Sequence, residues 1–481
     1  MSYDINGAPV TGTTASNIRV TDFYDGTVGN FSGAVYVNPT NASNPYSGAR
    51  PGGSQVFPGF REANRTDKGR SSSAAYVDVE YDVTSKLLLN GAVRFENYSD
   101  FGSTFNYKLA AMFKVVDNFN LRGALSTGFR APSLHQQYFN STATQFVGGV
   151  PFEVGTFSND SRAAKNLGIP QLKQEESASY SIGFTAKIPD ANITITADAY
   201  RIDIKDRVVL TDQFARPSLS VANGGIAPLF LFPVGTPQRE LQLLFDDANA
   251  TAATFFANAI NTKSQGIDVV ISHKLKFGTN RVLKTDFAGT YSQTRQEGEI
   301  KGSDILRANG QINRYYSETS RIYLEEAVPR VKGNLTHSVT LGKVDLFLRN
   351  VYFGEVTDPN TADVNRDGFV GAKVVNGFAV EDEHPVWGGK TITDFSVSYA
   401  FTPKVKFIIG ANNMFDIYPD LNLGPIAARR PNGVDAGGNV TYGATTPTIN
   451  LSNENQFVYS RNVSQFGQNG RFIFARLNIK F

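Results

Sequence analysis

The sequence predicts an all-β protein, a transmembrane antiparallel up-and-down β-barrel of a bacterial outer membrane. Three observations predict it. Apolar and polar residues alternate in segment after segment, the period-2 signature of a strand whose two faces meet different surroundings. The connections between those segments alternate short and long. No stretch approaches the roughly 18–20 uninterrupted apolar residues that a spanning helix needs, and mean hydropathy is -0.24.

The alternation begins at 75–83, where Ala75, Val77, Val79, Tyr81 and Val83 interleave with Tyr76, Asp78, Glu80 and Asp82. Over 88–96, Leu89, Val93 and Phe95 oppose Asn90, Arg94 and Glu96. Over 118–126, Phe119, Leu121 and Leu125 oppose Asn118, Asn120, Arg122 and Ser126. The chain ends the same way, with Ile473, Ala475, Leu477, Ile479 and Phe481 against Arg476, Asn478 and Lys480. Thirteen such segments lie near 74–83, 87–98, 105–115, 118–127, 177–188, 192–204, 265–277, 281–292, 330–341, 343–354, 391–402, 404–413 and 471–481. Each is close to the roughly ten residues that cross a bilayer as a tilted strand. Ile18, Val20 and Phe23 mark a looser fourteenth near 16–24, and 239–258 reads as a short helix inside a loop.

The short connections are 84–86, 116–117, 189–191, 278–280, 342 and 403; the long ones are 128–176, 205–264, 293–329, 355–390 and 414–470, with 99–104 a modest exception. Loops beyond about 15 residues are uncommon in compact soluble domains. In a membrane barrel they share one side, with short periplasmic turns opposite. Hydrocarbon tolerates no unpaired backbone group, so a strand-built spanning protein closes on itself, one face to lipid and one to a wet lumen. The alternative is a soluble sandwich or solenoid with one solvated face.

Composition narrows the function classes. Of 481 residues, 41% are hydrophobic and 19% charged, below the globular average of about 25% charged. Net charge is +2, which gives no basic footprint for nucleic acid. There is no Cys, which excludes disulfide frameworks, thiolate zinc sites and Cys nucleophiles. The opening MSYDINGAPVTG has no basic n-region, apolar h-region or cleavage site, so no signal peptide is visible.

Several segments resemble one family, the TonB-dependent receptors. LRGALSTGFRAPSL (121–134) carries GFRAPS, Gly128, Phe129, Arg130, Ala131, Pro132 and Ser133, a hallmark of these barrels. VRFENYSDFGSTFNYKLA (93–110) looks like the strand, loop and strand that lead into it, with Asn106-Tyr107 where Asn-Pro is usual. LKQEESASY (172–180) is similar to the family's LKPE…S, with Gln174 in place of Pro. IIGANNMFDIYPD (408–420) is similar to the GxxNLFD exit of the penultimate strand, through Asn413, Phe415 and Asp416. The final Phe481 resembles the aromatic terminus read by the barrel-assembly machinery. The motifs stand in the family's order from about residue 75 to 481.

The resemblance implies a signal peptide, a TonB box, a plug domain and a barrel of about 22 strands. Thirteen or fourteen strands and no plug make the expected chain a fragment, with 1–73 an external loop or partial strand region and 74–481 the C-terminal part of the barrel. It implies active uptake of a scarce nutrient, a ferric siderophore first, otherwise haem, cobalamin or an oligosaccharide. The implied partners are outer-membrane lipid, the barrel-assembly machinery, a small-molecule ligand and, in the intact receptor, the TonB complex. No covalent chemistry and no required cofactor are implied.

The side chains offer few chemical sites. None of His135, His273, His337 and His384 has metal-ligand spacing, and no GxSxG, Walker loop or dinucleotide fingerprint is present. Asp363, Asn365, Asp367 and Gly368 match the start of a calcium loop, but Val374 stands where the bidentate Glu belongs. The other reading is an Asx-rich turn. Arg429 and Arg430 could attract an anionic ligand or contact lipopolysaccharide. Tyr315, Tyr316, Tyr323 and Trp387 could form a ligand platform or an interfacial girdle. Arg130 could meet lumen acidic groups, while Pro132 ends ladder pairing. Two further functions stay open: a passive fourteen-stranded channel, and a surface adhesin or rim enzyme with a His-centred cluster.

Overall fold

The structure, a computed structural model, describes residues 64–147, 150–217, 219–220, 226–227, 232–359, 373–375, 378–380, 384–421, 431–434, 440–442, 459–460 and 462–480. The chain divides into Met1–Arg65 and Thr66–Phe481, and every strand considered below belongs to the second unit.

Thirteen strands form one sheet in strict chain order. They are β1 Ser72–Thr84, β2 Leu87–Tyr98, β3 Gly102–Val116, β4 Phe119–Arg130, β5 Glu175–Ile188, β6 Ile193–Leu210, β7 Phe256–Lys276, β8 Arg281–Glu297, β9 Val331–Leu341, β10 Val344–Phe353, β11 Lys390–Ala400, β12 Val405–Asn412 and β13 Phe472–Ile479. Each neighbouring pair is antiparallel. All thirteen segments expected from the alternation are present. Among the described residues β1 and β13 are the two ends of the ladder. The looser segment near 16–24 lies outside the described residues.

Register turns the alternation into two continuous faces. On the apolar face Val77 opposes Val93, Leu125 opposes Tyr180, Ile267 opposes Tyr291 and Phe287 opposes Leu335. The face continues through Leu348 on Phe395, Val397 on Ile409 and Phe407 on Leu477. Many side chains of this face stay exposed, Val77 at 60% and Ile182 at 67%, and others such as Leu335 and Leu348 are half-buried. A face this apolar and this open calls for an apolar partner. Along β7 and into the turn after it, this face runs from Ile267 to Phe277. Ten rises of about 3.3 Å, tilted by about 40°, span about 25 Å, the height of a barrel's lipid-facing band. The opposite face carries Arg122, Asp198, Asp268, Asp286, Arg349, Asp394, Asp345 and Lys406 in matching register.

The short turns have local causes. Thr84 accepts hydrogen bonds from the backbone N–H of Lys86 and Leu87, at 3.1 Å each. Thr402 does the same for Lys404 and Val405, at 3.2 and 3.0 Å. A short polar side chain thus replaces the missing ladder partners. Asn192 and Asn280 take the left-handed conformation, φ 51° and 56°, in two other turns.

The structure corrects two expectations. β6, β7 and β8 reach 18, 21 and 17 residues, beyond the bounds set by alternation. In the first residues of β7 both faces are covered, as at Ala257, Ala259 and Ile260, so the period-2 signal fades there. The helix expected over 239–258 occupies only Pro237–Asp247. Asn249 turns left-handed (φ 53°), and Ala250–Thr254 is a strand. The long connections also build a core of their own.

Candidate ligand-facing rim

At the long-loop end, GFRAPS is a strand exit followed by a capped turn. β4 ends at Arg130, where pairing with Glu175 also ends. Ser133 caps the short helix α1 (Leu134–Tyr138): its hydroxyl accepts from Gln136 N–H, and the Gln136 side chain accepts from Ser133 N–H. This reciprocal pair is a capping box. Arg130 lies 3.6 Å from buried Glu175, whose Oε1 accepts from Val208 N–H at 2.9 Å. One carboxylate of the LKQEES segment therefore ties β4, β5 and β6 together.

Arg70 enters the same turn from ahead of β1. Its Nη2 donates to the Pro132 carbonyl at 2.6 Å and to Asp100 Oδ2 at 2.7 Å, while Gln137 Nε2 donates to Asp100 at 2.8 Å. Arg70 also lies over the rings of Tyr98 and Phe101, which stack at 4.5 Å. Burial opposes ionisation of Asp100, but hydrogen bonds from Arg70 and Gln137 outweigh it and hold the carboxyl below its ordinary range.

Three long connections share a core. Ser141–Val147, Val150–Thr156, Ala250–Thr254 and Phe214–Ala215 make a four-stranded sheet, in which Val150–Thr156 and Ala250–Thr254 run parallel. With it pack α2 (Arg162–Asn166), α3 (Pro237–Asp247) and α4 (Asp304–Ala308) around Leu167, Phe214, Phe245, Phe255, Leu306 and Tyr315. Tyr315 is 1% exposed, and its hydroxyl accepts from Ser303 N–H at 2.9 Å. Burial pushes that hydroxyl up to about 12. Tyr316 is buried beside it, so neither ring offers an open face. Tyr323 is on α5 (Glu318–Glu325) and 45% exposed.

A second cluster joins the connections after β10 and β12. Trp387 packs with Val356 and Val463, and Gln465 Nε2 donates to the carbonyls of Gly354, Trp387 and Gly388 at 3.1, 3.0 and 2.8 Å. Buried Asp358 accepts from Ser460 Oγ and from Asn462 Nδ2.

The second family-like motif also has a structural cause. Asn413 is left-handed (φ 48°), and its side chain bridges Ile417 by donating to the carbonyl at 2.7 Å and accepting from the N–H at 2.9 Å. Asp416 (φ 59°) accepts from Arg471 N–H at 2.8 Å, where the chain returns into β13. Phe415 is 64% exposed. The motif thus aims the last connection.

Below the rim, Arg122 pairs with Asp198 and donates to Thr185 at 3.0 Å. With Asp78, Glu80, Asn90 and Lys108 they line a 470 Å³ recess on the polar face. Lys406 pairs with Asp345 at 2.6 Å, and Arg349 with Asp394. The wall thus presents paired charges on the polar face.

Of the other expected site residues, Asp363, Asn365, Asp367, Arg429, Arg430 and Phe481 lie outside the described residues. His273 and His337 both oppose Thr285 on the apolar face, and Thr285 Oγ1 is 3.0 Å from His337 Nδ1. His135 is on α1. Sequence reasoning missed Arg70, Asp100 and Gln137 because their contacts cross 30 to 62 positions. Asp394 was missed for the same reason: its partner Arg349 lies 45 positions away, across the long connection between β10 and β11.

The family profile for TonB-dependent receptor-like β-barrels matches residues 2–414. The chain belongs to the TonB-dependent receptor β-barrel family. No curated protein matches it. The ferric enterobactin receptor PfeA in complex with BCV-L6 overlays with a TM-score of 0.50 at 14% identity, covering 88% of this chain and 48% of that one. A mutant of that receptor, from Pseudomonas aeruginosa, gives 0.49 at 15%, covering 88% and 47%. The siderophore receptor PirA from Acinetobacter baumannii gives 0.48 at 15%, covering 86% and 46%. At such identities the likeness concerns the fold alone. This TonB-dependent receptor chain spans about half the length of the solved structures it matches. The family is one of outer-membrane receptors and transporters. No helix among the described residues is long and apolar enough to cross a membrane, which says nothing of strands.

Proposed function

We propose that this chain serves in the uptake of a scarce nutrient across the outer membrane, with a ferric siderophore as the foremost cargo and haem, cobalamin or an oligosaccharide as alternatives. The observation that carries the reading is the two-faced ladder of thirteen antiparallel strands, apolar on one side and charged on the other, in a family of receptors. Receptors for ferric enterobactin and other siderophores among the overlaid structures support the choice of cargo. Residues 74–481 then supply the C-terminal part of the barrel, and the intact receptor draws energy from the TonB complex. The chemistry is binding and passage, with no bond made or broken in the cargo.

The test is uptake of radio-iron as ferric siderophores by iron-starved cells with and without the gene. Loss of uptake for one siderophore class, restored by the gene, supports the reading. Unchanged uptake for every iron source, with unchanged growth on haem, cobalamin and oligosaccharides, rejects it. Reading the coding sequence in frame upstream of Met1 tests the placement of 74–481, which requires plug-coding sequence there.

A further inference from the structure

The outer ends of β7 and β8 carry an arrangement that the uptake reading does not use. Three cross-strand pairs follow one another on the apolar side of the sheet. Ile267 opposes Tyr291, Gln265 opposes Gln293, and Lys263 opposes Arg295. Apolar, amide and cationic pairs thus succeed each other over five residues, at the level where the lipid-facing band gives way to the long-loop end. A groove of 500 Å³ lies along them, lined by Lys263, Gln265, Gln293, Arg295 and Glu297.

Two like charges directly opposite across strands repel. Glu297 pairs with Lys263 and relieves part of that repulsion. Arg295 is exposed and has no hydrogen-bond or ion-pair partner among the described residues. Beneath it, Gln265 and Gln293 add amide donors within the groove. Gln296 lines the same groove, and its N–H donates to Glu325 on α5 at 2.8 Å. Lys263 and Arg295 face outward, away from the polar recess at Arg122.

We propose that this groove seats the phosphomonoester headgroup of a membrane lipid. The phosphate lies between Lys263 and Arg295, the two glutamines donate to its oxygens or to the ester, and the acyl chain runs down over Ile267 and Tyr291. A dianionic phosphate supplies Arg295 with a counter-charge and competes with Glu297 for Lys263, and guanidinium and ammonium donors match its oxygens. The order of the three pairs along the strands matches the order of chain, ester and phosphate in such a lipid. The site rests on the membrane reading of the barrel.

The test uses the full chain in nonionic detergent micelles, titrated with phosphatidic acid, phosphatidylcholine or inorganic phosphate and read by native mass spectrometry. Phosphatidic acid is expected to bind in preference to phosphatidylcholine. Each cation near an anionic surface contributes about a factor of five, so Lys263→Gln with Arg295→Gln should weaken binding roughly thirty-fold. Lys274→Gln with Lys284→Gln, a like-charged pair on the polar face, should leave it unchanged. Equal loss in both double variants, equal binding of phosphatidylcholine, or equally tight binding of inorganic phosphate overturns the lipid site. Protection of the strands from protease in lipid vesicles is scored separately. Strands that are not inserted overturn the membrane reading and the site together, whereas insertion without phosphate preference overturns the site alone.

Discussion

Arg70 and Asp100 form a two-pronged ion pair, with Arg70 Nε 3.0 Å from both carboxylate oxygens and Nη2 2.7 Å from Oδ2. Both side chains are largely covered, 17% and 13% exposed. The pair joins the segment ahead of β1 to the β2–β3 tip, and a fourth Arg70 bond reaches the GFRAPS turn. Replacing Asp100 by Asn should destabilise this corner by about 2 kcal/mol, as for a hydrogen bond to a charged group. Hydrogen exchange at 98–102 and 131–138 would show it as faster local opening.

The same pair sets an acid response. The Asp100 carboxyl is held below its ordinary range, so the contribution is complete above the unfolded carboxyl value of about 3.9. It is lost as pH falls through the lower folded value. Exchange at this corner should accelerate in acid in the native chain and far less in Asp100→Asn.

Tyr315→Phe keeps the ring and removes the acceptor for Ser303 N–H. An unpaired buried donor costs about 1–3 kcal/mol, so protease nicking within 298–330 should quicken while the strand ladder stays intact. In the native chain the hydroxyl ionises at about 12, against about 10 when unfolded. Its contribution is therefore complete below pH about 10 and is lost as pH rises towards about 12. Absorbance titration of the native chain against Tyr315→Phe reads this directly.

Gly410 shows how tightly β12 meets its neighbours β11 and β13. A methyl there would lie 2.6 Å from Ser396 Cβ, 2.7 Å from the Phe395 carbonyl and 2.8 Å from the Phe474 ring. Gly410→Ala should lower the temperature of unfolding in detergent. Gly467→Ala, with nothing within 4 Å, should leave it unchanged.

Asn413→Gly keeps the left-handed turn but loses two side-chain bonds, and should cost about 2 kcal/mol. Asn413→Ala should cost about 1 kcal/mol more, because alanine resists positive φ. Equal costs would show that the backbone conformation contributes nothing.

The strands were legible because each face meets one kind of surroundings, so Val77, Val79 and Tyr81 announce β1 without any tertiary knowledge. The GFRAPS and NMFD turns were legible because capping and left-handed asparagine are local chemistry. The loop core was not. The parallel pairing of Val150–Thr156 with Ala250–Thr254 closes across some hundred residues, and no local pattern encodes such a partner. Tyr315 and Tyr316 looked like rim aromatics because sequence shows the ring but not the burial. Arg70 looked like one charge among many, since its partners come from two later connections.

The central claim is that the sheet stands in a membrane with its apolar face to lipid. The chain has no Cys, so single cysteines can be placed at Val77, Ile182, Ile267 and Ile409 on one face and at Asp78, Ser181, Asp268 and Ser398 on the other. Spin-labelled in outer-membrane vesicles, the first set should be accessible to oxygen and shielded from a water-soluble nickel chelate, and the second set should show the reverse. Equal access of the chelate to both sets would contradict the account.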